Sequence, residues 1–211
     1  MITQIHRHKT AMTRTQVSRP IRLALEAQII TKETRVFDYG CGRGGDVQRL
    51  RLKSIVCEGW DPKYKPQIEK ISSEVVNLGY VINVIEEPSE RLDVLHQAWE
   101  LTEKVLIVSA QHAMEARYEQ GKAFKDGMIT RRGTFQKYFQ QQELKELIDQ
   151  TLEVQSIPVA PGIFFIFRDD FARQNYLATR YRRKAVIRPK GRFSDKLYAK
   201  HRPLFETLIN F

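Results

Sequence analysis

The residues with the clearest chemical character lie at positions 36–46, in the run VFDYGCGRGGD. Its apolar start predicts a short buried strand, and the glycines that follow predict a turn. Glycine lets such a turn adopt positive φ and approach a ligand closely. Gly40, Gly42 and Gly45 fit the G-x-G-x-x-G spacing that holds a dinucleotide's pyrophosphate on bare N–H groups. The spacing therefore predicts a nucleotide-binding turn without saying which nucleotide.

Two acids in the same run indicate the kind of nucleotide. Asp38 comes before the first glycine and Asp46 after the last, and two carboxylates would repel a pyrophosphate. S-adenosylmethionine (SAM) has no phosphate, and its sulfonium and ammonium groups are attracted to acids. We therefore predict that the turn binds SAM and that the chain is a methyltransferase.

A second acid is expected at the end of the next strand, where a carboxylate accepts hydrogen bonds from both ribose hydroxyls. Asp61 follows the strand-like run 55–60 and lies 21 positions after Gly40, close to the spacing of the ribose-binding acid in dinucleotide folds. Pro62 ends the strand, and Trp60 is placed to flank the adenine. The alternative is that Asp61 and Pro62 merely form a turn; the preceding glycine turn favours the ribose.

A third strand-like run, 75–85, is predicted to bring its polar residues to the same sheet edge. There Asn77 and Tyr80 are our candidates for catalytic residues on the acceptor side; the equal alternative is that both are ordinary strand-end residues. Their segment, NLGY, loosely resembles the Asp/Asn-Pro-Pro-Tyr/Phe motif of amino-methyltransferases without its two prolines. The predicted cofactor-binding residues are Asp38, Gly40, Cys41, Gly42, Gly44, Asp46, Asp61, Pro62 and Asn77.

The later part of the chain alternates helix and strand patterns. These are helices at 88–103 and 143–152 and strands at 104–109, 154–159 and 163–168, the last two joined by the tight turn at 160–162. A tight turn implies an antiparallel pair. We therefore predict a Rossmann-like α/β fold of class I methyltransferase type. Its sheet is seven-stranded and mostly parallel, with an antiparallel terminal hairpin and helices on both faces; Rossmann reductases lack this hairpin.

A long polar segment, 111–142, follows the strand predicted at 104–109. Loops of this length are usually functional lids or carry inserted helices. We expect it to project over the methyl donor, with Tyr138 as its catalytic candidate and 134–139 touching the acceptor. The alternative is that Phe135 and Phe139 pack against the body.

Charge is concentrated at the two ends of the 211-residue chain, whose net charge is +10. Residues 1–25 hold five Lys/Arg and no acid, and residues 173–202 hold eleven Lys/Arg and one acid. Basic ends on a mildly acidic body predict a nucleic-acid partner, DNA or RNA. The predicted phosphate-binding residues are Lys9, Arg14, Arg19, Arg180, Arg182 and Arg183.

Other interpretations of the basic ends stay open. Lys9, Arg14 or Arg19 is also suited to the methionine carboxylate of SAM. The C-terminal run is equally consistent with a solvated helix face, a linker to a further domain, or a contact with an anionic protein.

Composition narrows the class of protein further. No apolar run is long enough to span a membrane and no signal peptide is visible, so we expect a cytoplasmic protein. Two cysteines give neither a disulfide framework nor a metal cluster, and His6 and His8 lack further ligands at metal spacing. We predict three parts: a basic segment and helix covering the site (1–34), a SAM-binding core (35–172) and a basic extension (173–211).

Several separate segments resemble the methyltransferases associated with DNA phosphorothioation gene clusters in bacteria. The matching segments are 6–12 (HRHKTAM), 18–25 (SRPIRLAL), 36–46, 59–62 (GWDP), 75–88, 134–138 (TFQKY), 160–162 (APG) and 180–183 (RYRR). The resemblance runs from about His6 to Arg183. It implies a class I SAM fold and a DNA-modification context, and it leaves the acceptor open. Members of that family extend beyond the position where this chain stops.

Overall fold

A computed structural model describes residues 5–12, 15–118 and 120–186, with the side chains of 117, 118 and 181–186 left out. The chain divides into two compact units, 1–169 and 170–211. The first contains the sheet and the site. The described part of the second is one helix. Within the described residues no helix is long and apolar enough to cross a membrane.

The elements alternate along the chain as predicted. The strands are β1 (Val36–Tyr39), β2 (Cys57–Trp60), β3 (Ser73–Gly79), β4 (Thr102–Ser109), β5 (Gly121–Phe124), β6 (Gly127–Thr130), β7 (Phe135–Gln136), β8 (Ile157–Ala160) and β9 (Ile163–Phe167). The α-helices are α1 (Arg19–Glu26), α2 (Gly45–Arg51), α3 (Pro88–Glu100), α4 (Gln141–Leu152) and α5 (Asp170–Val186). Short 3-10 helices lie at Arg7–Thr10, Ile82–Val84 and Ala113–Tyr118.

The main sheet has the strand order β2-β1-β3-β4-β9-β8. Its first four strands are parallel, and β9 and β8 form the predicted antiparallel hairpin at the edge. The α/β architecture with a mostly parallel sheet is therefore confirmed. Among the described residues this sheet has six strands, not seven, because 61–72 form turns with one isolated bridge instead of a further strand. Strand β2 consequently lies at the edge.

The run 75–85 is only partly strand, contrary to the prediction. Strand β3 ends at Gly79 because Tyr80 takes the left-handed conformation, with φ +60°. Its amide still reaches the neighbouring strand, donating to the carbonyl of Ser109 (2.8 Å). The apolar residues after it enter a 3-10 helix, Ile82–Val84, in which Ile82 is buried. An apolar run does not distinguish these two forms of burial.

Alternating residues of the strands pack on opposite faces of the sheet. On one face, β1, β3, β4 and β9 form a hydrophobic core with α3 and α4. Its members include Phe37, Tyr39, Val76, Leu78, Leu106, Val108, Phe164 and Ile166 from the strands and Leu95, Ala98, Leu144, Ile148 and Leu152 from the helices.

The intervening strand residues, such as Val75 and Ile107, are buried outside that core. Helix α1 contacts β3 and β4, and α2 contacts β2. A Cβ atom on Gly59 of β2 would lie 2.8 Å from Cγ2 of Val47, so glycine is needed for α2 to approach this closely.

The segment 111–142 is not a free loop: it carries a three-stranded antiparallel sheet, β5-β6-β7. Phe135 and Phe139 are fully buried, which confirms the packing alternative for both. A buried arginine ties this sheet to α3. Arg91, 3% exposed, donates to the carbonyl of Ile85 (2.8 Å) and to both carboxylate oxygens of Asp126 (2.5 and 2.8 Å).

Replacing Arg91 should therefore destabilise the fold. In Arg91→Met the side chain keeps its bulk, while the Ile85 carbonyl loses its side-chain donor and Asp126 keeps, among the described residues, only Lys137 (3.2 Å). We expect the free energy of unfolding in urea to fall by about 2–3 kcal/mol. The control is Arg35→Ala, which removes an exposed ion pair with Glu103 (2.7 Å) and should cost under about 1 kcal/mol. Equal losses in the two variants would contradict a structural role for the buried network.

Candidate cofactor-binding site

A cavity of about 520 Å³ opens at the carboxyl ends of β1, β2 and β3. Strands β2 and β3 lie on opposite sides of β1, so the strand order reverses direction at β1. Open α/β sheets bind ligands at such a switch point. Apart from Gly44, the cap residue of α2, every predicted cofactor residue lines the cavity: Asp38, Gly40, Cys41, Gly42, Asp46, Asp61, Pro62 and Asn77.

The glycine turn connects β1 to α2 through left-handed residues. Gly40 has φ +79°, and a Cβ there would lie 2.4 Å from Cγ2 of Val81. The amides of Gly40 and Cys41 both donate to the carbonyl of Trp60 (2.8 and 3.0 Å). The turn is therefore fixed against the end of β2, and no larger residue fits at its first position.

Two polar side chains meet across the β1–β3 pair beneath the turn. Asp38 and Asn77 are register partners, 5% and 2% exposed, and the Asn77 amide donates to Oδ1 of Asp38 (2.7 Å). Its own carbonyl oxygen, Oδ1, is buried and has no hydrogen-bond partner in the described structure. Asn77 thus lines the cavity with one side-chain group bonded to a carboxylate and the other, buried, without a partner in the described structure.

The surroundings of Asp38 disfavour the ionised form of its carboxyl group. Burial and, after it, the nearby charge of Asp46 raise the pKa of its carboxyl to about 7. The hydrogen bond from Asn77 and the charge of Lys65 act in the opposite direction. A cation placed in the cavity would supply the compensation that Asp38 lacks.

Asp61 ties the end of β2 to the glycine turn. Its Oδ2 accepts from the Gly42 amide (3.0 Å), and its Oδ1 accepts from the amides of Lys63 and Tyr64 (2.9 Å each). The turn-forming alternative is therefore realised. An ionised carboxylate can accept about four hydrogen bonds. Asp61 accepts three within the protein, so it can accept one more from a ligand in the cavity.

Asp46 connects the turn to α1. Its Oδ1 accepts from the amide of Ser18 (2.7 Å), although the two residues are 28 positions apart. Ser18 stands at the N-cap position of α1 without a side-chain cap bond and lines the same cavity. Its hydroxyl is buried and has no partner in the described structure.

The segment 5–12 contributes one wall of the cavity. Arg7 donates to Glu86 (2.7 Å) and to both oxygens of Glu90 (2.5 and 2.7 Å). On the other side, the Tyr64 hydroxyl donates to the carbonyl of His8 (2.9 Å). These contacts were not predicted, because acids and bases 79 and 83 positions apart give no local pattern.

Trp60 also lines the cavity, in an aromatic cluster under a lysine. Its ring lies edge-on to Tyr39 at 5.2 Å, and Nζ of Lys70 stands 4.1 Å from the Trp60 centroid. Lys70 is held by the Tyr39 hydroxyl and Gln97 (2.8 Å each). Cation–π contact on this ring restrains its orientation.

The structure separates the remaining candidates. Asn77 and Tyr80 line the cavity, whereas none of its lining residues comes from the described part of 111–142, and Tyr138 is half-buried away from it. Lys9 and Arg19 are exposed and do not line the cavity. Arg14 and the side chains of Arg182 and Arg183 lie outside the described residues, and Arg180 is half-buried on α5.

Comparisons with known proteins give matches among solved structures only: no protein-family model and no curated protein matches the chain. The CcbJ methyltransferase from Streptomyces caelestis aligns at 11% identity over 70% of this chain and 87% of its own, with a TM-score of 0.48. Magnesium protoporphyrin IX methyltransferase from Synechocystis PCC 6803, solved with bound SAH, aligns at 11% identity over 77% and 93%, TM-score 0.45.

A third match is 1,6-didemethyltoxoflavin-N1-methyltransferase from Burkholderia thailandensis, solved with bound 1,6-didemethyltoxoflavin and S-adenosylhomocysteine. It aligns at 11% identity over 71% of this chain and 79% of its own, with a TM-score of 0.47. At identities this low the likeness concerns backbone arrangement, and it assigns neither ligand nor acceptor.

The raised pKa of Asp38 predicts a pH-dependent stability. Between about pH 4 and 7 the folded protein keeps a proton that the unfolded chain has released, since the pKa rises from 3.8 to about 7 on folding. The free energy of unfolding therefore falls as the pH rises through this window. Asp38→Asn cannot ionise, and its stability relative to wild type should grow through the window to at most roughly 4 kcal/mol above pH 7.

The measurement is urea unfolding of both proteins at pH values from 4.5 to 8. Asp93→Asn is the matched control, because Asp93 is exposed on α3 and its replacement should give no such trend. A difference between Asp38→Asn and wild type that stays constant with pH would refute the buried, destabilised carboxylate.

Proposed function

We propose that the protein is a SAM-dependent methyltransferase whose cofactor lies in the cavity at the β1–β3 switch point. The observation that carries the proposal is the buried Asp38 carboxylate, short of positive charge, beside the unpaired Oδ1 of Asn77. Both features favour a ligand with a positive charge and N–H donors. The ammonium and sulfonium groups of SAM have this character.

A dinucleotide suits the same cavity less well. Its pyrophosphate would lie on the glycine turn, where Asp38, Asp46 and Asp61 all line the wall. Bringing further negative charge beside a carboxylate that is already hard to ionise would cost free energy. The acids therefore support SAM over a nicotinamide or flavin dinucleotide.

The wall residues suggest how the cofactor would be held. Asp38 and Asn77 would bind the ammonium group, the open side of Asp61 would accept from the ribose, and Trp60 would flank the adenine. Bound SAM supplies an activated methyl group, so the protein's task is to align a nucleophile and exclude water. Tyr80, set at the strand end by its left-handed backbone, is our acceptor-side candidate.

We further propose a nucleic-acid or nucleoside acceptor. Support comes from the basic composition of residues 1–25 and 173–202 and from the segmental resemblance to phosphorothioation-associated methyltransferases. A polyanion would be drawn to such segments and would make activity depend on salt. In the described part of the extension, Arg173 already pairs with Asp170 (2.7 Å), so the proposal depends on the other basic residues.

Cofactor binding is the first test, by isothermal titration of SAM and S-adenosylhomocysteine. We expect both to bind wild type and Asp61→Ala to bind them at least about tenfold more weakly, since a charge-assisted hydrogen bond to the ribose is lost. Asp61→Asn, which keeps an acceptor for the amides of the turn, separates ribose binding from turn geometry. Failure of folded wild type to bind either ligand would refute the cofactor assignment.

The acceptor is tested by methyl incorporation from labelled SAM into DNA, tRNA, other RNA and small-molecule extract. We expect incorporation into nucleic acid that falls steeply as salt increases. The triple variant Arg180→Ala/Arg182→Ala/Arg183→Ala should lose most of this incorporation. The control is Lys32→Ala/Arg35→Ala/Lys53→Ala, which removes the same charge from exposed positions of the first unit and should keep the incorporation. Nucleic-acid binding without incorporation would indicate a noncatalytic module, and salt-independent incorporation into the extract a small-molecule enzyme.

A further inference from the structure

We propose that Arg43 binds the α-carboxylate of the cofactor's methionine moiety, an assignment that rests on the proposed function. Arg43 lies between Gly42 and Gly44 in the glycine turn, and it lines the cavity. The cofactor has one negatively charged group, and an otherwise acidic cavity must supply a cation for it.

Three basic side chains other than histidine line the described cavity: Arg7, Arg43 and Lys63. Arg7 is already committed, because Glu86 and Glu90 bind its guanidinium and hold its pKa above the usual range. Releasing Arg7 for a ligand would leave two carboxylates without their cation. Its charge is therefore not available to the cofactor.

Arg43 is a charged group held in position without an ion pair. Its guanidinium carbon lies 4.8 Å from the centroid of the Tyr64 ring. That ring is fixed in turn, since the Tyr64 hydroxyl donates to the carbonyl of His8 and the Tyr64 amide donates to Asp61. No carboxylate in the described part of the chain forms a salt bridge with Arg43. Stacking thus orients the guanidinium and leaves its N–H groups for a ligand.

The chemistry of the two groups matches. A planar guanidinium binds a carboxylate through two parallel hydrogen bonds, and such charge-assisted bonds are the strongest in aqueous sites. Arg43 and Lys63 are both exposed, but among the described residues Lys63 has no cation–π contact like the one between Arg43 and Tyr64. Of the three sequence-based candidates for this carboxylate, Lys9 and Arg19 do not line the cavity and Arg14 lies outside the described residues. Arg43 is therefore the candidate that the described cavity offers.

The test compares SAM with decarboxylated SAM, which keeps the sulfonium and ammonium groups and lacks only the carboxylate. Titration calorimetry would be run on wild type, Arg43→Ala, Arg43→Lys and Arg35→Ala. We expect Arg43→Ala to weaken SAM binding about tenfold or more and to leave decarboxylated SAM within about twofold, because one charge-assisted contact is removed. Arg43→Lys should fall between wild type and Arg43→Ala, and Arg35→Ala should match wild type.

Failure of this assignment is distinguishable from failure of the proposed function. If wild type binds SAM and Arg43→Ala weakens both ligands equally, or weakens neither, Arg43 does not bind the carboxylate and the cofactor assignment stands. If folded wild type binds neither ligand, the cofactor assignment is refuted and this one with it. Thermal melts of each variant establish that the compared proteins are folded.

Discussion

The contact between Asp38 and Asn77 is the constraint around which the site is arranged. It joins two parallel strands at the point where the sheet changes direction, and it buries a carboxylate without a matching cation. Burial of this kind costs free energy unless a ligand compensates it. The same hydrogen bond uses the amide nitrogen of Asn77, a residue of the cavity wall, and its buried oxygen has no partner in the described structure. A cationic ligand would supply that compensation.

The other acids are held by backbone amides from distant segments, and this arrangement fixes the shape of the cavity. Asp61 accepts from the glycine turn and from its own turn, and Asp46 accepts from the start of α1 at Ser18. Arg7 closes the wall from the N-terminal side through two glutamates. Asp46 and Asp61 therefore stabilise the fold as well as lining the cavity. An alanine variant at either position must be compared with the asparagine variant before a loss of ligand binding is interpreted.

Prediction from sequence succeeded where the pattern is local. The glycine turn, the first two strands and the terminal hairpin follow from apolar runs and turn residues a few positions apart. It failed at 111–142, because β5, β6 and β7 are short strands that close on each other, and the arginine that fixes them, Arg91, lies 35 positions from its partner Asp126. Arg43 was missed for the same reason. Its contact with the Tyr64 ring, which lies 21 positions further along the chain, cannot be inferred from the glycines beside it.

By itself the sequence determined which residues stand at the ends of β1 and β2, since strand, turn and glycine conformations depend on near neighbours. It also determined that acids surround the turn, and hence the sign of charge that a ligand should carry. Tertiary structure decided which acids accept hydrogen bonds from which groups, and which basic side chains form ion pairs. Asp38 meets Asn77 across 39 positions, and Arg7 meets Glu90 across 83. Burial and pairing are properties of the folded surface, where solvent is excluded, and no local spacing encodes them.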